Sequence, residues 1–134
     1  MFFSSYALMP WALLALRAVA GVIFIVHGMP KLQKSKMLAG AMGMSTTIVM
    51  LIGLAEMLGG LSLLLGLVTQ LGCLVIGIIM IGALNYKIGK WHLPFSAIDK
   101  MGWEFDLLLL VTAFAVAILG PSQFSLDWLL FGVS

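Results

Sequence analysis

Four apolar runs, at residues 9–29, 46–67, 69–88 and 103–119, decide what this chain can fold into. Each is near the ~20 residues an α-helix needs to cross ~30 Å of hydrocarbon. Lipid offers the backbone no hydrogen-bond partner, so a spanning run of this kind must satisfy its own N–H and C=O groups as a helix. Composition agrees: of 134 residues, 63% are hydrophobic and 9% charged, with a mean hydropathy of +1.19. A water-soluble domain of this size needs more charge to cover its surface. The expected fold is all-α: a polytopic membrane protein made as one compact four-transmembrane-helix bundle over residues 1–134.

The connections sharpen this picture. "GLVTQLG" is short enough to force the second and third helices into antiparallel contact. "PKLQKSKMLAGAMGMS" opens with Pro30, which is expected to end the first helix. "KWHLPFSAIDKMGW" joins the third and fourth. After Leu119, Gly120-Pro121 breaks the chain, and the short C-terminal segment that follows is too brief to cross again, so it is expected at the interface. The N-terminal "MFFSSYALMPW" has no basic residue ahead of its apolar run and no small-x-small cleavage site, so the first helix is expected to be retained.

Charge sets the expected orientation. Lys31, Lys34, Lys36, Lys87, Lys90 and Lys100 fall at the end of the bundle where the first helix finishes, and none falls at the other end, which holds Asp127. The positive-inside rule then puts the lysine-rich loops in the cytoplasm and both termini outside a cell membrane. Trp11, Trp91, Trp103 and Trp128 lie near the expected helix ends, as an interfacial aromatic belt would have them. A net charge of +2 is too small to suggest nucleic acid. The single cysteine, Cys73, excludes an internal disulfide, a CxxC pair and a Cys-based zinc site; it is expected to be a small packing residue.

Ionisable residues inside the spans carry the functional question. Arg17 shares a helical face with Gly21 and Gly28, and Glu56 shares one with Gly53 and Gly60, so each charge lies where another helix can approach closely. Charged groups in membrane helices face the bundle interior and pair. An Arg17–Glu56 contact across the first two helices is therefore expected. Such a pair either fixes helix register or serves a ligand or a proton. Near the inner boundary His27, Lys31, His92, Glu104 and Asp106 form a second group. Glu104 and Asp106 suit the start of the last helix, where carboxylates favour the dipole, and His92 is expected to be solvated. No ligand spacing for a metal, no haem attachment, no nucleophile motif and no phosphate-binding glycine loop occurs. Neither metal nor cofactor is encoded outright. A quinone slot needs only an apolar cavity with a few groups for the ring oxygens, and Arg17, His27, Glu56, Trp103 and Glu104 could supply them. Lys31, His92, Asp106 and Asp127 are secondary candidates.

The segments "LRAVAGVIFIVHGMPKL", "LAEMLGGLSLLLGLVTQLG", "GWEFDLLLL" and "GPSQFSLDWLL", in this order, resemble the DoxX family of small four-helix membrane proteins. The resemblance carries the family's Arg onto Arg17, its His-Gly onto His27 and Gly28, and its Lys-Leu onto Lys31 and Leu32. Its Glu-x-x-Gly-Gly falls on Glu56, Gly59 and Gly60, its Gly-Trp-Glu on Gly102 to Glu104, and its Ser-Leu-Asp on Ser125 to Asp127. Many members have a further His soon after the third helix, where this sequence reads "NYKIGKWHLP". The resemblance implies a quinone-associated oxidoreductase subunit working with a redox partner subunit in the lipid bilayer. The alternative is a non-enzymatic membrane carrier, or an assembly protein that docks other chains, with the buried pair structural. A homo-oligomer packed through its glycine faces is a third arrangement.

Overall fold

The computed structural model describes residues 5–133; Met1 to Ser4 and Ser134 lie outside the described residues, and with them the start of the N-terminal stretch expected to be retained. The elements are α1 (Ser5–Gln33), α2 (Ser35–Met42), α3 (Thr46–Leu65), α4 (Thr69–Asn85), a π-helical turn (Tyr86–Lys90), α5 (Glu104–Leu119) and α6 (Leu126–Phe131). No strand occurs among the described residues. Three stretches are long and apolar enough to cross a membrane: Tyr6–Gln33, Thr46–Leu65 and Thr69–Lys90. The 16 residues of α5 cover about 24 Å at 1.5 Å per residue. Helix α1 packs on α3, α3 on α4, α4 on α5 and α5 back on α1, which closes the four into a bundle.

Burial is inverted relative to a soluble protein. Outward ridges at helical spacing are apolar, such as Val19, Val22 and Val26 on α1 and Leu54, Leu58 and Leu61 on α3. The fully or nearly buried set includes Arg17, Glu56, Asp106 and Asp127 beside a core of Phe24, Leu63, Ile76, Met80, Leu109 and Val116. Lipid makes the apolar exterior cheap and the polar interior necessary. Cys73 packs in that core at 3% exposure.

Pro30 does not end the first helix. Helix α1 runs through it to Gln33, and Lys34 N–H donates to the Pro30 carbonyl at 2.7 Å. Proline costs a helix its own N–H bond and crowds the carbonyl four residues back. One turn from the helix end, that cost is confined to a carbonyl at the membrane boundary. The extra turn matters because it keeps Lys31 on the same face as His27 and Gly28.

The seam between α1 and α3 is made by glycine. A Cβ on Gly21 would lie 2.7 Å from the Gly60 carbonyl oxygen, and a Cβ on Gly28 would lie 2.7 Å from that of Gly53. Backbones this close allow no side chain between them, the device by which membrane helices gain packing without a hydrophobic driving force. The seam also fixes the register: Gly21 faces Gly60, and Gly28 faces Gly53.

The opposite end of the bundle is held by a single carboxylate. Asp127, in the first turn of α6, accepts from Val68 N–H at 2.6 Å, from Thr69 N–H at 2.9 Å and from the Thr69 hydroxyl at 2.8 Å. Its own N–H donates to the Gly66 carbonyl at 2.8 Å. Helix α4 has no capping side chain of its own, so Asp127 caps it from another part of the chain, satisfying donors that a helix start leaves free. Val68 sits at φ +50°, a conformation costly for a β-branched residue, and the Asp127 contact holds it there. Burial pushes the Asp127 carboxyl up, but the three hydrogen bonds and nearby Arg17 outweigh it and leave the group below the ordinary carboxylate value.

Candidate functional site

At the lysine-rich end the bundle opens into a cavity of about 440 Å³ between α1, α3, α4, α5 and the π-helical turn. Its wall is mainly apolar, with Phe24, Ile48, Ile52, Ile79, Met80 and Phe105 among the lining residues. Into this wall the helices set four charged side chains and an imidazole: Lys31, Glu56, Lys87, Asp106 and His27. They fall into two ion pairs and a histidine. Lys31 Nζ donates to Glu56 Oε2 at 2.5 Å, joining α1 to α3. Lys87 Nζ donates to Asp106 Oδ2 at 2.5 Å, joining the π-helical turn to α5. Both carboxylates are buried, and the lysine side chains are about one-sixth exposed. Charges in an apolar wall persist only when paired and hydrogen-bonded, and here each has one partner of opposite sign.

His27 completes the set. Its Nδ1 lies 2.8 Å from the Ile23 carbonyl oxygen, one turn back on α1. Its ring sits 5.7 Å from that of Phe105 across the cavity wall. The π-helical turn adds Tyr86, whose ring meets Trp91 edge-on at 5.6 Å, with Lys90 Nζ 4.9 Å above it. Tyr86 and Lys87 continue the face of α4 that carries Ile79, Met80 and Ala83, at offsets of three, four and seven residues, and so reach the cavity. The whole arrangement can hold a flat amphipathic molecule, with apolar contacts for its body and ionisable groups for its polar atoms.

The DoxX family model matches residues 12–87 of the sequence. The chain belongs to the DoxX family. A curated relative agrees: the "Putative oxidoreductase CatD" of Bacillus subtilis (strain 168) is 31% identical over 117 residues, covering 85% of this chain and 83% of that protein. No solved structure matches the chain. The matched span of this DoxX protein runs from α1 into the π-helical turn, and so contains His27, Lys31, Glu56 and Lys87.

The expected Arg17–Glu56 contact is not formed. Glu56 belongs to the cavity and pairs with Lys31. Arg17 lies at the other end, fully buried, where Nη2 donates to the Phe124 carbonyl at 2.5 Å and Asp127 is the nearby carboxylate. The glycine seam explains the difference. It brings Arg17 level with Gly66, where any side chain would collide with Arg17 Nη1. Glu56 is ten residues away along α3, about 15 Å at 1.5 Å per residue, beyond the reach of either side chain. Arg17 Nε and Nη1 have no partner among the described residues.

The other expected site residues divide. His27, Lys31, Glu56 and Asp106 converge on the cavity. Trp103 and Glu104 do not line it: Trp103 packs edge-on against Phe95 with ring centroids 4.6 Å apart, and the Glu104 N–H donates to the Phe95 carbonyl at the start of α5. His92 is exposed, at φ +49°, outside the cavity. Asp127 belongs to the clamp at the opposite end. Sequence reasoning did not single out Lys87, Tyr86 or Trp91 as site residues. Lys87 lies four residues after Ala83 and seven after Met80, both of which line the cavity, so helical spacing along α4 is the signal that could have found it.

Proposed function

We propose that this DoxX protein is a quinone-binding membrane subunit of an oxidoreductase, with the quinone ring held in the cavity. The observation that carries the reading is one apolar chamber walled by two lysine–carboxylate pairs and a histidine. The relative named as an oxidoreductase supports the same class. Interconversion of quinone and quinol moves two electrons and two protons. Electrons would pass between the ring and a redox-active partner subunit. This chain's own groups would bind the ring, keep water out and pass protons. Glu56 and Asp106 are the buried carboxylates, each hydrogen-bonded to one lysine, Lys31 and Lys87.

The test is titration of purified protein in detergent with tetramethyl-1,4-benzoquinone, alone and with co-purified membrane partners. Saturable binding is expected, weakened about tenfold by Glu56→Gln, which removes the charge-assisted bond that holds Lys31 Nζ in the cavity wall. No saturable binding in either preparation would sink the reading and leave a carrier or a docking protein in its place.

The cavity mouth lies at the lysine-rich end, which this reading places in the cytoplasm of a cell membrane with both termini outside. In a Cys73→Ala background, Lys36→Cys is then expected to react with a membrane-impermeant thiol reagent only after cells are opened. Val133→Cys is expected to react in intact cells. The reverse pattern would invert the topology.

A further inference from the structure

The hydrogen bond that orients His27 decides what its other nitrogen can do. Ile23 O is a carbonyl and can only accept, so the proton of that 2.8 Å contact sits on Nδ1. In the neutral imidazole Nε2 is then a bare acceptor. It has no partner among the described residues, and it is absent from the fully buried unpaired atoms, which are both on Arg17. Nδ1 is bonded back onto α1 and His27 lines the cavity, which leaves Nε2 as the ring nitrogen available to a molecule held there. Both cavity carboxylates already have a lysine partner.

We propose that His27 makes this site selective for the reduced, hydroxyl-bearing form of its ring ligand. A hydroquinone O–H can donate to Nε2, whereas a quinone carbonyl brings a second acceptor against the first. Two facing acceptors leave both unpaired in an apolar wall, the arrangement by which a polar site rejects an analogue lacking the matching proton. This inference rests on the quinone-site reading and adds the redox state of the molecule held.

The two forms separate it from that reading. Purified protein is titrated with tetramethyl-1,4-benzoquinone and, anaerobically, with its hydroquinone. Wild-type protein is expected to bind the hydroquinone about tenfold more tightly. For a two-electron couple that preference raises the midpoint potential of the bound pair by about 30 mV. His27→Phe, which keeps a flat ring, is expected to abolish the preference, so that the two forms bind with equal affinity. Equal or tighter quinone binding by the wild-type protein overturns the selectivity while the quinone site stands. Equal weakening of both forms by His27→Phe does the same. Failure of both forms to bind sinks the quinone site itself, and the selectivity with it. The wild-type comparison needs no variant, so a misfolded His27→Phe leaves the proposal open to refutation.

Discussion

Asp127→Ala is expected to destabilise the detergent-solubilised protein by about 3–5 kcal/mol, through unsatisfied donors costing about 1–3 kcal/mol each. The substitution strips partners from Val68 N–H, Thr69 N–H and the Thr69 hydroxyl together, and removes the carboxylate nearest the buried Arg17. It also frees Val68 from a conformation it would otherwise leave. Thermal unfolding followed by circular dichroism measures the loss. Asp127→Asn, which keeps one acceptor oxygen, is expected to lose less. Asp127 titrates below the ordinary carboxylate value in the folded protein. Its contribution is therefore complete above that ordinary value, about 3.9, and is lost as pH falls through the lower folded one. Wild-type stability is expected to show this added fall below about pH 4, and Asp127→Asn to lack it. An Asp127→Ala protein as stable as wild type would remove the clamp from the account.

Gly60→Val is expected to be at least as damaging. Its Cβ alone would lie 2.7 Å from the Gly21 carbonyl oxygen and 3.1 Å from Ile25 N, both backbone atoms of α1. A rotamer change cannot relieve contact with backbone, so α1 and α3 must separate. Overpacking of a close-fitted core costs about 1–3 kcal/mol when side chains can adjust, and more when they cannot. The yield of monodisperse protein after extraction is expected to collapse. Gly40→Ala is the control: nothing lies within 4 Å of the added methyl in α2, and alanine there should be neutral or stabilising by up to about 1 kcal/mol. Comparable yields for the two variants would show that the seam does not hold the bundle together.

The spans were legible in the sequence because hydrophobic length alone sets them. Helices expected at 46–67 and 103–119 are observed at Thr46–Leu65 and Glu104–Leu119. The pairing of the buried charges was not legible. Counting residues from the ends of apolar runs places Arg17 and Glu56 at similar depths, but the glycine seam sets a different register. That register depends on backbone contact, which hydropathy does not record. Lys31 was hidden behind Pro30. Once α1 is known to continue, Lys31 is four residues from His27 and three from Gly28, on the face that meets Gly53 and Glu56. Lys87 and Tyr86 lie at helical spacing from Met80 and Ala83, but hydropathy alone does not show that this face lines a cavity opposite Asp106. Asp127 carried a motif without a mechanism, because its partners lie nearly sixty residues earlier in the chain.

That separation has a consequence for biosynthesis. The turn between α3 and α4 is threaded early, yet the group that ties it down arrives only with residue 127. Until then the nascent chain has this end of the bundle loosely closed, with the nearest counter-charge of Arg17 still to be made. Insertion of the helices and closure of this end are thus separate events, and the segment around residue 127 locks what the earlier segments built.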